Sequence, residues 1–252
     1  MTEKPPVDYR TRIYAHYAKD FQCAGSEFNF VAAEKWGRAY RWYLRNWLPS
    51  NHDAVIAELG CGWGRLLQLF VGNGYTNVSG VDLSPDQVQL ARKISPSVDE
   101  GNALQLLAQK EGHFDLIVAL DLIEHLTKAE ALTMLDLCFA ALKPGGRFIL
   151  QTPNADSPFG SQHRYGDFTH EFGLTPSLLT FLLGQAGFQT VQAREQGPVP
   201  IGYSVSSSVR FLLWRVLRSG ITAWNLIETG SSGEVLTRVF MCSAVKPNRC
   251  DV

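Results

Sequence analysis

The sequence predicts an α/β protein built on an open, mostly parallel sheet, and three observations carry that prediction. The first is a short apolar run, Ala54-Val55-Ile56-Ala57, that ends at Glu58 and turns through Gly60, Cys61, Gly62, Trp63 and Gly64. A helical pattern with Leu66, Leu67, Leu69 and Phe70 follows at once. Glycines at alternate positions of a strand-to-helix turn let the backbone approach a ligand more closely than a Cβ would permit. The second is the alternation of short apolar strands with amphipathic helices along the chain, the rhythm of βαβ units. The third is Phe114 to Asp121, F-D-L-I-V-A-L-D, whose nearly continuous apolar character suits a central strand covered on both faces.

Composition sets the outer limits. A chain of 252 residues can bury a full core, and one α/β domain with additions is expected. Lys and Arg number 23 against 24 Asp and Glu, so net charge gives no reason to expect nucleic acid as a partner. The five cysteines (Cys23, Cys61, Cys138, Cys242 and Cys250) are odd in number, scattered and without a C-x-x-C pair. That pattern argues for a reducing compartment and against a disulfide framework or a zinc site. The first ten residues lack the apolar core of a signal peptide, and no run approaches the ~18 apolar residues of a membrane span. A soluble, cytoplasmic protein is the expectation.

Residues 1–10 read as unstructured. A helix from Thr11 to about Gln22 and a second from Phe30 to Trp47 form an N-terminal helical cap over 1–50, ahead of a domain over 51–252. The second helix is dense in aromatics and arginines, including Trp36, Arg38, Tyr40, Arg41 and Trp42. Asn77 to Val81 is the second strand, and Ser84 with Asp86 predicts an N-cap for a helix from Pro85 to Lys93. Asp82 then lies at a carboxyl strand end beside the glycine strand, where parallel sheets bind ligands and an acid accepts from ribose hydroxyls. A weak third strand covers Val98 to Glu100. The fourth strand exits into L-I-E-H-L and a helix from Lys128 to Leu142; Pro144, Gly145 and Gly146 turn into a fifth strand, Arg147 to Gln151. Residues 152–175 form a polar loop on the ligand side of the sheet, a length that signals function. A helix from Pro176 to Ala186, a sixth strand from Phe188 to Arg194, a basic-aromatic helix within 203–228 and a last strand within 234–245 complete the chain.

The glycine spacing is not the dinucleotide fingerprint, because Arg65 stands where G-x-G-x-x-G needs its last glycine. Glu58 beside the turn would repel a pyrophosphate but would suit a ligand bearing an ammonium group. The ordered set E-L-G-C-G-W-G, V-D-L-S, D-L-I-V-A-L-D-L-I-E-H and L-K-P-G-G, spread over about Ala54 to Val191, resembles the class I S-adenosylmethionine-dependent methyltransferases. The resemblance implies a Rossmann-like, seven-stranded sheet, mostly parallel with the last strand antiparallel, and S-adenosyl-L-methionine as cofactor. It implies cofactor contacts at Glu58, Gly60, Cys61, Gly62, Gly64, Asp82, Leu83, Leu120 and Asp121. Asn102 stands where family members commonly carry an acid, and with Ala103 it is expected at the adenine. Arg38, or its neighbour Arg41, is the expected partner of the methionine carboxylate.

The sulfonium methyl is already activated, so such an enzyme chiefly aligns it with an acceptor. A hydroxyl acceptor also needs a base. His163, Arg164, Tyr165, Asp167, His170 and Glu171 crowd into nine residues of the 152–175 loop. His170 is the favoured base, oriented by Asp167 or Glu171, and His125 is its competitor. A metal held by His163, Asp167, His170 and Glu171 is the other reading of that cluster; none is expected. Short matches, R-Y-G-D-F-T-H-E among them, look like methyltransferases of bacterial surface-polysaccharide biosynthesis. They imply a small-molecule acceptor, a sugar hydroxyl on a nucleotide- or lipid-linked precursor. A phenolic or quinone-type lipid is the alternative, and a nicotinamide-dependent oxidoreductase or a catalytically silent cofactor-binding partner are the rivals outside that activity. The 205–227 helix is expected to cover the acceptor pocket or meet a second subunit, or else to lie on an anionic membrane surface.

Overall fold

The computed structural model describes residues 9–14, 27–200, 203–233 and 235–248. Seven strands form one sheet in the order β3-β2-β1-β4-β5-β7-β6. They are β1 Val55–Leu59, β2 Asn77–Asp82, β3 Val98–Glu100, β4 Phe114–Leu120, β5 Leu142–Pro153, β6 Gln189–Glu195 and β7 Val239–Val245. β7 is antiparallel to both neighbours, β5 and β6, and every other pairing is parallel. Leu59 pairs with Val81 of β2 on one side and with Ala119 of β4 on the other. The glycine turn, Asp82 and Asp121 are thereby gathered at one end of the sheet, where the strand order reverses.

Nine α-helices surround the sheet among the described residues: α1 Tyr9–Tyr14, α2 Phe30–Tyr43, α3 Arg65–Gly72, α4 Pro85–Ala91, α5 Ala103–Leu107, α6 Lys128–Ala141, α7 Ser161–Tyr165, α8 Pro176–Gln185 and α9 Val205–Thr229. Their starts are written locally. Asn29 Oδ1 accepts from the Ala32 N–H before α2, and Thr127 with Glu130 closes a reciprocal capping box before α6. Thr175 accepts from the Leu178 N–H, with Pro176 in the first turn of α8.

Alternate residues of the central strands fill two cores. Ile56, Leu116, Val118, Ile149 and Met241 pack with Tyr40, Leu44, Leu66 and Phe70. Ala57, Leu59, Ile117, Phe148 and Leu150 pack with Met134, Leu135, Leu179 and Leu183 on the other face. A sheet covered on both faces explains why β4 reads as a nearly continuous apolar run. Because Tyr40, Tyr43, Leu44 and Trp47 lie in the first of these cores, α2 shares the sheet's core instead of standing apart from it.

Several elements differ from the sequence reading. Tyr9 and Arg10 are helical, not unstructured; residues 1–8, Tyr17 and the rest of the first expected helix lie outside the described residues, as do Cys23 and Cys250. The second helix stops at Tyr43, and the chain reverses through Asn46 at φ 66° so that Leu44 and Trp47 can be buried. The 152–175 stretch is partly ordered: β5 runs on to Pro153, Asn154 bridges Leu174, and α7 lies between them. The last strand begins only at Val239. The residues before it are fixed by side chains instead, with Asn154 donating to the carbonyls of Val235 and Thr237 and Glu195 accepting from the Leu236 N–H.

The glycine turn fits against β2 with no room to spare. A Cβ on Gly80 would lie 2.9 Å from Cys61 Sγ, 3.0 Å from Cys61 Cβ and 3.2 Å from Leu67. Gly80→Ala therefore has to push the turn off the sheet. The expected cost is about 1–3 kcal/mol of stability, read by urea denaturation. An unchanged midpoint would show that the turn is not packed as described.

Candidate active site

A cavity of about 710 Å³ opens at the carboxyl ends of β1, β2 and β4. Of the residues singled out in the sequence, Glu58, Gly60, Cys61, Gly62, Asp82, Leu83, Asn102, Ala103, Leu120, Asp121, His125, Asp167 and His170 line it. Gly64, Arg38 and Glu171 do not. Gly64 sits behind the turn as the N-cap of α3 at φ 89°, and a Cβ there would meet Ala91 Cα at 3.1 Å, so its requirement is conformational. Arg38 is exposed and stacks over Tyr203. Arg65 lines the cavity in its stead, with its guanidinium 5.0 Å from the Trp36 ring and 4.9 Å from the Trp63 ring. Glu171 turns away to accept from Tyr9 and to pair with Arg10 at 3.6 Å.

Six carboxyl groups line this cavity, and burial raises the pKa of four of them, Glu58, Asp82, Asp121 and Glu124. Glu58, at the end of β1, is 4% exposed and its Oε2 has no hydrogen-bond partner. Burial, and then the neighbouring Asp82, pushes it well above the usual carboxylate range. The Asp82 carboxylate accepts from the Gly62 N–H at 2.8 Å and the Ser84 N–H at 2.9 Å, which holds the turn against β2. Ser84 caps α4 through its backbone position, without the side-chain bond its sequence suggests. Asp121 sits at φ 51°, a conformation costly for any residue with a Cβ. It lines the cavity, and Gln151 Nε2 donates to its carboxylate at 2.7 Å. The Gln151 oxygen in turn accepts from Tyr40 and Gln196, both at 2.8 Å. Asn102 lines the cavity, but its amide oxygen already accepts from the Leu104 N–H at 2.8 Å as the cap of α5. An adenine amino group there would meet that oxygen's second lone pair, and the Asn102 NH2 keeps its two donors for a ring nitrogen.

At the other side of the cavity the loop after β5 meets the 3₁₀ turn Ile123–His125 that follows β4. His125 Nδ1 lies 2.8 Å from Thr169 Oγ1, and the Thr169 hydroxyl donates to Asp167 Oδ1 at 2.6 Å. A hydroxyl has one proton, and the carboxylate can only accept. Thr169 must therefore accept from His125 Nδ1–H, which leaves the imidazole lone pair on Nε2. The histidine–carboxylate pair expected from sequence thus exists, but it joins Asp167 to His125 through Thr169 and not to His170. His170 packs edge-on to His125, ring centroids 4.7 Å apart, and its Nδ1 is buried without a partner. Burial is the main cause that lowers the His125 pKa, from 6.5 to about 4, with the neighbouring His170 adding to it. Across the mouth lies α1: Arg10 holds Glu130 through two bonds of 2.9 Å and donates to the His125 carbonyl at 3.0 Å. Glu124, His125 and His170 also bring one potential metal ligand atom each within 4.8 Å of one another, a different set from that read in the loop.

This fold and this acid-lined cavity define a class I S-adenosylmethionine-dependent methyltransferase. A methyltransferase-domain family matches residues 29–193, well over half the chain, and the chain belongs to that family. Among curated relatives it is 31% identical over 118 residues to a ubiquinone biosynthesis O-methyltransferase of Xylella fastidiosa. That match covers 44% of this chain and 46% of the relative, so the chain spans about half the length of the relative it matches. A SAM-dependent methyltransferase from Archaeoglobus fulgidus superposes with a TM-score of 0.63 at 20% identity, over 95% of this chain and 100% of that one. Phosphoethanolamine N-methyltransferase 2 of Haemonchus contortus, solved with S-adenosyl-L-methionine, gives a TM-score of 0.56 at 16% identity over 93% and 60%. At these identities the two structures bear on the fold alone.

The cavity suits the cofactor. A buried carboxylate with an unpartnered oxygen, in a wall that carries three further acids, calls for a cation. A Cβ at Gly62 would meet Gln87 Oε1 at 2.6 Å, in space the turn leaves open. Arg65, Trp36, Trp63 and Thr169 escaped the sequence reading. Arg65 had a signal, its place directly after the last glycine, but was read only as breaking another motif. Thr169 had none beyond standing between Asp167 and His170.

The depressed His125 pKa makes stability depend on pH. Between pH 6.5 and about 4 the unfolded chain takes up a proton that the folded protein refuses, so this histidine costs stability as pH falls through that window. The difference between wild type and His125→Asn should change by about 3 kcal/mol between pH 7 and pH 4 in denaturant titrations. Parallel pH profiles for the two proteins would mean that His125 is not buried as described.

Proposed function

We propose that the protein methylates a phenolic hydroxyl on a lipid-type acceptor, with His125 as general base. The observation that carries the reading is the His125–Thr169–Asp167 chain beside the acid-lined half of the cavity. Glu58 would receive the cofactor's ammonium, Arg65 its carboxylate, Asp82 the ribose hydroxyls, and Asn102 with Ala103 the adenine. When bound, the cofactor supplies an electrophilic methyl group that needs alignment more than activation. Trp36 and Trp63 fix the Arg65 plane, and the Asp121–Gln151–Tyr40 network fixes the cavity wall at the end of β4. His125 Nε2 takes the acceptor's proton; Thr169 and Asp167 hold the ring in that tautomer and stabilise the imidazolium.

The weak basicity of His125 is what favours a phenol. Proton transfer from a phenol, of pKa about 10, to an imidazole near 4 is far less uphill than transfer from a sugar alcohol. The named activity of the Xylella relative supports the same acceptor class. A sugar hydroxyl on a nucleotide- or lipid-linked precursor is the second reading, favoured by the polar Gln162, His163 and Asp167 in the cavity wall. The experiment is an acceptor screen that sets alkylated catechols against nucleotide-linked sugars, with labelled methyl donor. Turnover of the catechols alone is expected, and turnover of the sugars alone would overturn the phenol reading.

Three variants assign the roles. His125→Ala should lower kcat by about 10²–10⁴ while cofactor affinity holds, and Arg65→Ala should weaken cofactor binding at least tenfold while Arg38→Ala does not. Undiminished kcat in His125→Ala would remove it as the base. Turnover is expected to survive EDTA; its loss, restored by a divalent cation, would make Glu124, His125 and His170 a metal site and His125 a ligand.

A further inference from the structure

Helix α9 has no place in the chemistry above. It is 25 residues long, about 37 Å, and none of its residues lines the cavity. The expectation that it covers the acceptor pocket is therefore not met. One face is moored: Ser207 Oγ donates to the Val199 carbonyl at 2.7 Å, Trp214 Nε1 to Glu195 Oε2 at 3.3 Å and Arg218 Nε to Glu195 Oε1 at 3.0 Å. The opposite face carries an apolar stripe open to solvent. Val205 is 84% exposed, Val216 73%, Trp224 71% and Ile227 86%, with Val209 and Leu213 between them. At about 100° per residue these positions fall on one side of the helix, and Arg210 and Arg215 flank it left and right.

We infer that α9 lies in the interface of an anionic lipid bilayer, with its stripe in the acyl boundary and Arg210 and Arg215 at headgroup level. The charge pattern selects this occupant. From Val205 to Ile227 the helix contains arginines and no acid. A second copy meeting this face by twofold symmetry would set the stripe against itself and offer those arginines no carboxylate before Glu228, which already accepts from Trp224 at 2.9 Å. An anionic membrane supplies both the apolar phase and the counter-charge. No helix of the described residues is long and apolar enough to cross a membrane, so the contact is in the plane of the interface. Glu195, the mooring point, ends β6, which runs in the direction of the parallel strands because both β5 and β6 oppose β7. The helix is thus fixed at the same end of the sheet as the cavity, and docking would hold the cavity mouth close to the bilayer.

The test is co-sedimentation of the full chain with phosphatidylcholine vesicles, with and without phosphatidylglycerol, alongside light scattering for mass. Binding to the phosphatidylglycerol vesicles, weakened by salt, is expected, with little binding to phosphatidylcholine alone. Arg210→Gln and Arg215→Gln should each lower the partition coefficient about fivefold, the ratio that corresponds to roughly 1 kcal/mol per basic residue at an anionic surface. Val216→Glu with Ile227→Glu should abolish binding while cofactor affinity and circular dichroism stay unchanged, since both side chains are exposed. Absence of vesicle binding in the wild type, or binding indifferent to these variants, would overturn the inference. So would a dimer mass that the Val216→Glu/Ile227→Glu protein reduces to a monomer, because the stripe would then be a subunit interface.

Discussion

Glu58 is buried at the end of β1 with a carboxylate oxygen that nothing among the described residues satisfies. Such a group is expensive unless a cation completes it, and the strand register makes the cost unavoidable. Pairing Leu59 with Val81 and with Ala119 brings Asp82 and Asp121 up on either side, and after burial Asp82 adds to the high Glu58 pKa. The glycine turn then has to be thin, because its N–H groups must reach the Asp82 carboxylate. Arg65 closes the wall between two tryptophans, the guanidinium nearest to these acids. The sheet topology, the glycines and the arginine are parts of one arrangement that holds acids ready for a cationic ligand.

The opposite wall follows a different logic. Here one histidine is kept neutral by burial and given a single tautomer by a threonine and an aspartate two residues apart. That wall is built from the 3₁₀ turn after β4 and the segment after β5, which have no common element of secondary structure. They are joined instead by the Glu171 N–H bonding to the Glu124 carbonyl at 2.8 Å and by Arg10 clamping the His125 carbonyl from α1. The division suits a protein of this class: a rigid cofactor wall on strand ends, and an acceptor wall on loops that can differ between relatives without disturbing the sheet.

Most of the sheet could be read from the sequence, because residues buried on both faces leave runs such as F-D-L-I-V-A-L that loops cannot mimic. β3 was legible to the residue, since Gly101 and Asn102 end it sharply. Glu58, Gly60, Gly62 and Asp82, singled out by the glycine motif and the resemblance it carries, do line the cavity. Which histidine the loop carboxylate joins was not legible: His170 and His125 carry the same chemistry, and only the fold decides which ring Thr169 reaches. Arg38 or its neighbour Arg41 was expected at the cavity, but on a helix rich in arginines and aromatics sequence gives no sign of which side chains turn inward, and Arg65 lines the cavity instead. The late helix was legible as amphipathic, but whether its apolar stripe faced the cavity or solvent depended on where Glu195 anchors it.

The central claim is that buried Glu58 accepts the cofactor's cation. Titration calorimetry with S-adenosyl-L-methionine near pH 6.5, in two buffers of different ionisation enthalpy, tests it most directly. Burial raises the Glu58 pKa and a bound cation lowers it again, so binding favours the loss of any proton that the empty site holds. Binding should therefore release protons, with observed enthalpies that differ between buffers, and the release should vanish in Glu58→Gln along with much of the affinity. Tight binding with no buffer dependence, unaltered by Glu58→Gln, would contradict the account.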